Sequence, residues 1–511
     1  MAVAGSSLAT SEQEREMTRH QRGLVDTCFE EGQYESGISV LEQLRSSQFK
    51  PSESHIRQLL YIALYPPLLP PAADDERKER GKDTFDPSTP SKAAAKQVQK
   101  SPLIPSAKAT EAALRLLTSF TLTNSPGALG RALPENVSVS DWLAKVRKND
   151  EDTEEDSYIA REAMCIHEAK HVWAILKEGM IQRKVVAPIT PKGKGKKRRR
   201  DYEHHFEDKL SDTEGAAPQV VVSENAWPVL DWLLAVLEKD ELLEEKAGSL
   251  RYSSILLSQI PPPRSGAGAR WEADAPLDII FYCLEQTLPK RKAMGARLMT
   301  LLINLSSTIY FDLNLFVTSV YTRLSSTSSA TSTDTFSTLF SALAPSPAIS
   351  KFKLVLCKKY LNSLTTTMSS SVDGPQPAFR PRPQARAVHS SRQSSVPQHE
   401  GSMSSVKSTT SDSISVTSIT SKYPLPPPSE ILHLLQQPPG SSYPLTQSLR
   451  IKFELLLSYA LVQNPPTEVG DQESEWRNML LDGRVQKAVD SAFAGEGGRY
   501  KESLKMIMGT W

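Results

Sequence analysis

The chain has few cysteines, few aromatic residues and no long hydrophobic run. Only 7% of its 511 residues are aromatic, and its four cysteines are too far apart for any CxxC pair: Cys28, Cys165, Cys283 and Cys357. We therefore expect reduced thiols rather than a disulfide framework. The longest apolar windows, 279–284 and 298–305, are much shorter than the roughly 20 residues that span a bilayer, so no membrane partner is expected.

The chain also lacks an overall charge of either sign, since 60 Lys and Arg face 59 Asp and Glu. A protein that grips nucleic acid with its whole surface would carry a broad basic face, which this balance argues against. Charge is instead concentrated locally. An acidic run occupies 150–156, and a basic run occupies 192–200.

The basic run holds seven cations in nine residues: Lys192, Lys194, Lys196, Lys197, Arg198, Arg199 and Arg200. So many unpaired charges cannot enter a core, so the run is expected in solvent. Three interpretations stay open: a nuclear localisation signal for an importin-type receptor, an arm that contacts nucleic acid, or a solvated charge run. The first is favoured, because Gly193 and Gly195 keep the run extended and no aromatic residue within it could stack on bases.

Apolar periodicity predicts an all-α fold, an irregular helical array interrupted by long disordered linkers. Segments 66–105, 185–222 and 364–427 are rich in Pro, charge or Ser and Thr, as is typical of linkers. Between them we predict an N-terminal hairpin with a third helix at 11–65, helical segments at 106–184 and 223–363, and a C-terminal helical block at 428–511.

Three local patterns sharpen this prediction. Ser11 and Glu14 have the spacing of a capping box, which predicts a first helix from there to Gly32. Spacings of three and four predict one long helix over 158–183. The Trp227-Pro228 pair opens a stretch that is apolar nearly all round, which indicates a helix packed on several sides. Pro289, Pro345 and Pro347 are expected to break the later helices.

Segment 24–51 (LVDTCFEEGQYESGISVLEQLRSSQFKP) resembles one helical hairpin of the tetratricopeptide or pentatricopeptide families, with Gly32 at the turn and Pro51 at the repeat junction. Those families work as tandem arrays. No second copy lies in register in this sequence. The resemblance therefore implies an antiparallel hairpin, and no peptide- or RNA-binding residues are carried over.

His167, Glu168 and His171 form an HExxH pattern, which resembles the zinc-binding helix of metallopeptidases. The resemblance implies that the two His side chains ligate zinc and that the Glu polarises water. Lys170 places a cation inside the motif, and Ala174 and Lys177 occupy the positions where the extended motif has Gly and His. We therefore predict an amphipathic helix with two surface His, no metal, no cofactor and no catalytic residue.

Short phosphorylation motifs lie in the predicted linkers. Thr89 and Thr190 precede proline, and Ser211 precedes acidic residues. The sequence around Ser395 resembles the ligand of 14-3-3 proteins, which would make a reader of that type a partner. Phosphate charge on such segments can regulate a protein without disturbing its core.

Together these features predict a nuclear, non-enzymatic helical scaffold or adaptor that holds other proteins in its grooves and is regulated by phosphorylation. A nucleic-acid-associated factor in DNA repair, chromatin or RNA processing, tethered by the basic arm, is the alternative. A zinc hydrolase built on the HExxH pattern is the remote one.

Overall fold

The computed structural model describes residues 14–66, 103–134, 157–181, 220–261, 273–308, 311–326, 329–369, 424–438, 444–463 and 471–508. The all-α prediction is confirmed for these ranges, which contain 18 α-helices and a single pair of two-residue strands. None of the described helices is long and apolar enough to cross a membrane.

The chain divides into two compact units, Met1–Leu356 with Leu457–Pro466, and Cys357–Leu456 with Thr467–Trp511. The finer division predicted from composition stays a prediction. The helices that lie wholly in the first unit are α1 (Arg19–Glu30), α2 (Tyr34–Leu44), α3 (Glu53–Leu64), α4 (Ala107–Thr123), α5 (Pro126–Gly130), α6 (Tyr158–His167), α7 (Trp227–Lys246), α8 (Ser254–Ser258), α9 (Asp274–Glu285), α10 (Pro289–Ser306), α11 (Leu313–Ser326) and α12 (Ser329–Ala342).

Helices α13 (Pro347–Ser369) and α15 (Leu445–Gln463) contribute residues to both units. The second unit also contains α14 (Pro428–Gln436), α16 (Asp471–Leu481), α17 (Arg484–Ala492) and α18 (Gly498–Met508). In this unit α17 packs against α14, α16 and α18. Its core includes the fully buried side chains of Trp476 and Phe493, and Lys358 forms an ion pair with Glu430 at 2.7 Å.

The predicted N-terminal hairpin is present as α1 packed against α2. Gly32 lies at the turn with φ 72°, a conformation that favours glycine. The predicted helix start is wrong, because the capping box is made by Thr18 and Gln21 and α1 begins at Arg19. Ser11 lies outside the described residues. Glu14 instead binds Ser125, the N-cap of α5, and accepts hydrogen bonds from its backbone N and Oγ, both at 2.7 Å.

Helix α3 lies at the centre of the first unit, packed against α4 and α6, and α4 in turn packs against α7. The prediction for α7 is confirmed, since its first half is buried on nearly every side. Trp232 is 4% exposed, and its indole Nε1 donates a hydrogen bond to the carbonyl oxygen of Leu117 on α4 at 3.0 Å.

The single long helix predicted over 158–183 is wrong. Helix α6 ends at His167, and a 3-10 helix follows at Val172–Leu176. The backbone N of Val172 donates to Oε1 of the buried Gln259 at 3.1 Å, and Gly179 has φ 82°. A side chain distant in sequence therefore takes a donor that a continuing helix would use internally.

The later helices lie close to their predicted positions, and the predicted breaks are confirmed, since Pro289 separates α9 from α10 and Pro345 lies between α12 and α13. Pro289 and Pro347 stand at the first positions of α10 and α13, where the fixed φ of proline suits a helix start. Helices α9 and α10 form a hairpin, and α10 also packs against α7.

Candidate functional site

Most of the predicted site residues lie outside the described residues. This holds for the whole basic run, Lys192, Lys194, Lys196, Lys197, Arg198, Arg199 and Arg200, and for the phosphorylation candidates Thr89, Thr190, Ser211 and Ser395. The structure describes the residues on either side of the segment that carries the basic run, Ile181 before it and Val220 after it.

The HExxH residues do not share one helical face. His167 is the last residue of α6 and Glu168 is its C-cap. His171 lies in extended backbone, at φ −166° and ψ 163°, and its Nδ1 accepts a hydrogen bond from the backbone N of Ala174 at 3.1 Å. That nitrogen is thus used as a helix cap. Burial, followed by the nearby Lys170 and Lys177, lowers the pKa of His171.

Other chemically active groups in the described ranges are dispersed. No group of three or more His, Cys, Asp or Glu there could hold a metal ion. The four cysteines are free, and burial raises the pKa of the Cys165 thiol to about 11 and that of Cys283 to about 12. Those two thiols are therefore protonated at neutral pH and are poor nucleophiles.

The first unit contains an open cleft of about 500 Å³. One wall is the end of α3, another is the chain from the 3-10 helix to Ile181, and a third is formed by Val220 and the residues that lead into α7. Its apolar lining comprises Leu64, Pro66, Ile175, Ile181, Val220 and Tyr282, and its polar lining comprises Lys177, Glu178, Ser223, Glu224 and Asn225. We refer to these residues together with Gly179 as the foot cleft, because Ile181 and Val220, the described residues on either side of 182–219, both line it.

Backbone pairing holds the walls of the foot cleft. The N–H of Ser223 donates to the carbonyl of Leu176 at 2.9 Å, and the N–H of Glu178 donates to the carbonyl of Val220 at 3.4 Å. Asn225 donates from its side chain to the carbonyl of Leu64 at the end of α3. Three elements that are distant in sequence are thus fixed around one opening.

An aromatic and cationic stack stands behind one side of the foot cleft. The ring of Tyr282 on α9 lies parallel to that of Trp227, with centroids 6.0 Å apart and an interplanar angle of 11°. The guanidinium of Arg291 lies 4.4 Å from the centroid of Trp227. Trp227 is buried, whereas Tyr282 is half-buried and lines the cleft. These contacts with Trp227 hold the ring of Tyr282 in place.

The charges at the rim balance one another. Arg291 pairs with Glu224, its Nη1 donating to Oε1 at 3.0 Å, and this hydrogen bond is the main reason that the pKa of Glu224 is lowered. Lys177 and Glu178 are adjacent, exposed and of opposite sign. Among the residues that the structure describes, the foot cleft offers an apolar lining, the ring of Tyr282 and charges of both signs, an arrangement that can bind a ligand.

No pattern in the sequence indicated this cleft. Its residues come from four separate stretches, and they are brought together by hydrogen bonds to backbone carbonyls that no local pattern encodes. The sequence feature that comes nearest to marking the cleft is Pro66, which begins a proline-rich segment directly after the apolar helix α3. Comparisons of the chain with family models, with curated proteins and with solved structures found no match.

Proposed function

We propose that this chain is a nuclear, non-enzymatic helical scaffold that holds partner proteins and is regulated by phosphorylation of the segments between its helices. The foot cleft is the observation that carries the proposal. It is open, mostly apolar and fixed by long-range hydrogen bonds, and its volume lies within the range of roughly 300–1,000 Å³ that is typical of binding pockets.

The position of the cleft links binding to the predicted regulation. Ile181 and Val220 line it, and they bound the segment that carries the basic run and Thr190. A receptor on the basic run, or a phosphate on Thr190, would add bulk or charge to the segment whose flanking residues line the opening. Partner binding and nuclear import would then be coupled through neighbouring surfaces.

The test replaces Lys196, Lys197, Arg198, Arg199 and Arg200 with alanine and follows localisation by microscopy. We expect the variant to fold as the wild type does but to leave the nucleus, and an unrelated localisation signal fused to it should restore function. A variant that stays nuclear and fully functional would refute the assignment of the run.

The alternative, a nucleic-acid-associated factor, rests on the same basic run. If that is correct, the variant with the fused signal enters the nucleus and still fails, because the charges that release counterions are gone. Binding of the wild type to DNA or RNA would then weaken steeply as salt is raised.

A further inference from the structure

Tyr282 presents a fixed aromatic ring to the foot cleft. The ring of Tyr282 stacks on Trp227, so the tyrosine cannot turn without breaking that contact. The guanidinium of Arg291 lies over the ring of Trp227. Grooves lined by aromatic rings are a recurring docking site for proline-rich segments.

We propose that the foot cleft binds an extended, uncharged, proline-containing segment of a partner protein, with a proline ring against Tyr282. This inference rests on the proposed scaffold function and names the class of partner. Such segments adopt the polyproline II conformation before binding, so they lose little conformational entropy when they enter an aromatic-lined groove.

Charge selects against the other peptide classes. Glu224 is already paired with Arg291, and the exposed Lys177 and Glu178 offer one charge of each sign. A strongly basic or acidic peptide would meet as much repulsion as attraction there, and it would lose hydration against the apolar lining. An uncharged segment avoids both the charge repulsion and the desolvation of charged side chains.

The chain itself carries an uncharged, proline-rich stretch that begins at Pro66. Pro66 is half-buried in the wall of the cleft, and the chain continues from it as Pro-Leu-Leu-Pro-Pro through residue 71. The proposed partner segment has the same composition as this stretch. The chain's own sequence therefore supplies a probe of the right chemistry.

The test uses the full chain and a fluorescent peptide, Gly-Pro-Pro-Leu-Leu-Pro-Pro-Gly, in an anisotropy titration. We expect saturable binding that is weakened about tenfold or more in both Tyr282→Ala and Ile181→Glu. Leu122→Glu is the matched control, since Leu122 is 79% exposed on α4 and does not line the cleft. Peptides with Lys or Glu in place of the two leucines should bind more weakly.

Thermal unfolding of each variant separates loss of binding from loss of fold, and Ile181→Glu keeps the test valid if Tyr282→Ala unfolds. The proposal is overturned if the uncharged peptide does not bind, if it binds Ile181→Glu as well as the wild type, or if a charged peptide binds more tightly. Replacing 67–71 with Gly and Ser should leave the affinity unchanged. A rise would mean that the chain's own segment competes for the cleft, which overturns assignment to a partner.

This experiment can fail independently of the proposed function. If nuclear partners depend on Ile181 but the proline peptides do not bind, the assignment of the partner class is wrong and the scaffold function stands. If no partner depends on the foot cleft either, both are wrong.

Discussion

Arg297 on α10 and Glu238 on α7 form a two-pronged ion pair. Arg297 donates from Nε and Nη2 to the two carboxylate oxygens of Glu238, each at 2.7 Å, and from Nη1 to Asp231 at 2.6 Å. Lys290 also pairs with Asp231, at 3.1 Å. Asp231 and Glu238 lie seven residues apart on α7, and their partners Lys290 and Arg297 lie seven residues apart on α10 in the same order. The two helices therefore run parallel. The hydrogen bonds that Arg297 donates to Glu238 are the largest reason that the pKa of Arg297 is raised.

We expect Arg297→Ala to lower the free energy of unfolding by about 1–2 kcal/mol, because it leaves Glu238 and Asp231 without their shared partner. Arg297→Lys should recover only part of the loss, since an ammonium cannot donate the paired fork. Arg484→Ala is the control, because its ion pair with Asp482 is more than half exposed on both sides. Urea unfolding measures all three variants. Equal stability of Arg297→Ala and the wild type would contradict the proposed clamp.

Trp232 tests the packing of α7. We expect Trp232→Ala to cost about 3–5 kcal/mol, because it opens a cavity between α7 and α4. Trp232→Phe keeps most of the ring and loses the hydrogen bond to Leu117, so it should cost less. The measurement is the shift in thermal or urea midpoint. A midpoint unchanged in Trp232→Ala would show that the side chain is not in the core.

Glu241 on α7 is a buried acid, 2% exposed. Its oxygens accept from Asn304 Nδ2 at 2.6 Å and from Arg251 Nε at 3.2 Å. Burial nevertheless raises the pKa of Glu241, and these hydrogen bonds only oppose that effect. The folded state therefore binds the proton of Glu241 more tightly than the unfolded state does.

Stability should consequently fall as pH rises from the ordinary Glu pKa through the raised pKa of the folded state, and this group should add no pH dependence below that window. In Glu241→Gln the dependence is absent, so the variant should gain stability relative to the wild type as pH rises. Urea titrations across the acid range measure the difference, and Glu285→Gln on the exposed side of α9 is the control. If the wild type instead became more stable relative to Glu241→Gln as pH rises, folding would lower the pKa of Glu241, which contradicts this expectation.

Substitutions of His171 distinguish its role as a helix cap from the role of a zinc ligand. We expect the purified protein to carry no stoichiometric zinc and Glu168→Gln to change no activity. His171→Ala should cost about 1 kcal/mol through loss of the cap on Ala174, whereas His171→Asn should retain much of the stability, because Asn is a good N-cap. Elemental analysis and thermal unfolding are the two measurements. One zinc per chain, lost when His167 or His171 is replaced, would restore the hydrolase interpretation.

Sequence patterns predicted what depends on neighbouring residues. The apolar stretch after Trp227 and the Gly32 turn were both predicted correctly, because burial on all sides and a positive φ leave direct marks on composition. The helix over 158–183 was predicted too long. Its apolar spacing continues through Trp173, but the backbone there is held by Gln259, a side chain more than eighty residues away.

The foot cleft was missed for the same reason. Asn225 looks like an ordinary polar residue before a helix, yet it binds the end of α3 and sets one wall of the opening. Tyr282 looks like one more residue of α9 until Trp227 is placed behind it. The nuclear assignment depends on the basic run, which lies outside the described residues, so it stays a prediction.

The most direct test of the scaffold account is a quantitative comparison of the proteins that the full chain captures from nuclear extract. Wild type, Ile181→Glu and the surface control Leu122→Glu are compared once thermal unfolding has shown that all three have the same midpoint. If the foot cleft holds partner proteins, a defined set of partners is lost from Ile181→Glu and retained by Leu122→Glu. Identical sets for all three proteins would contradict it.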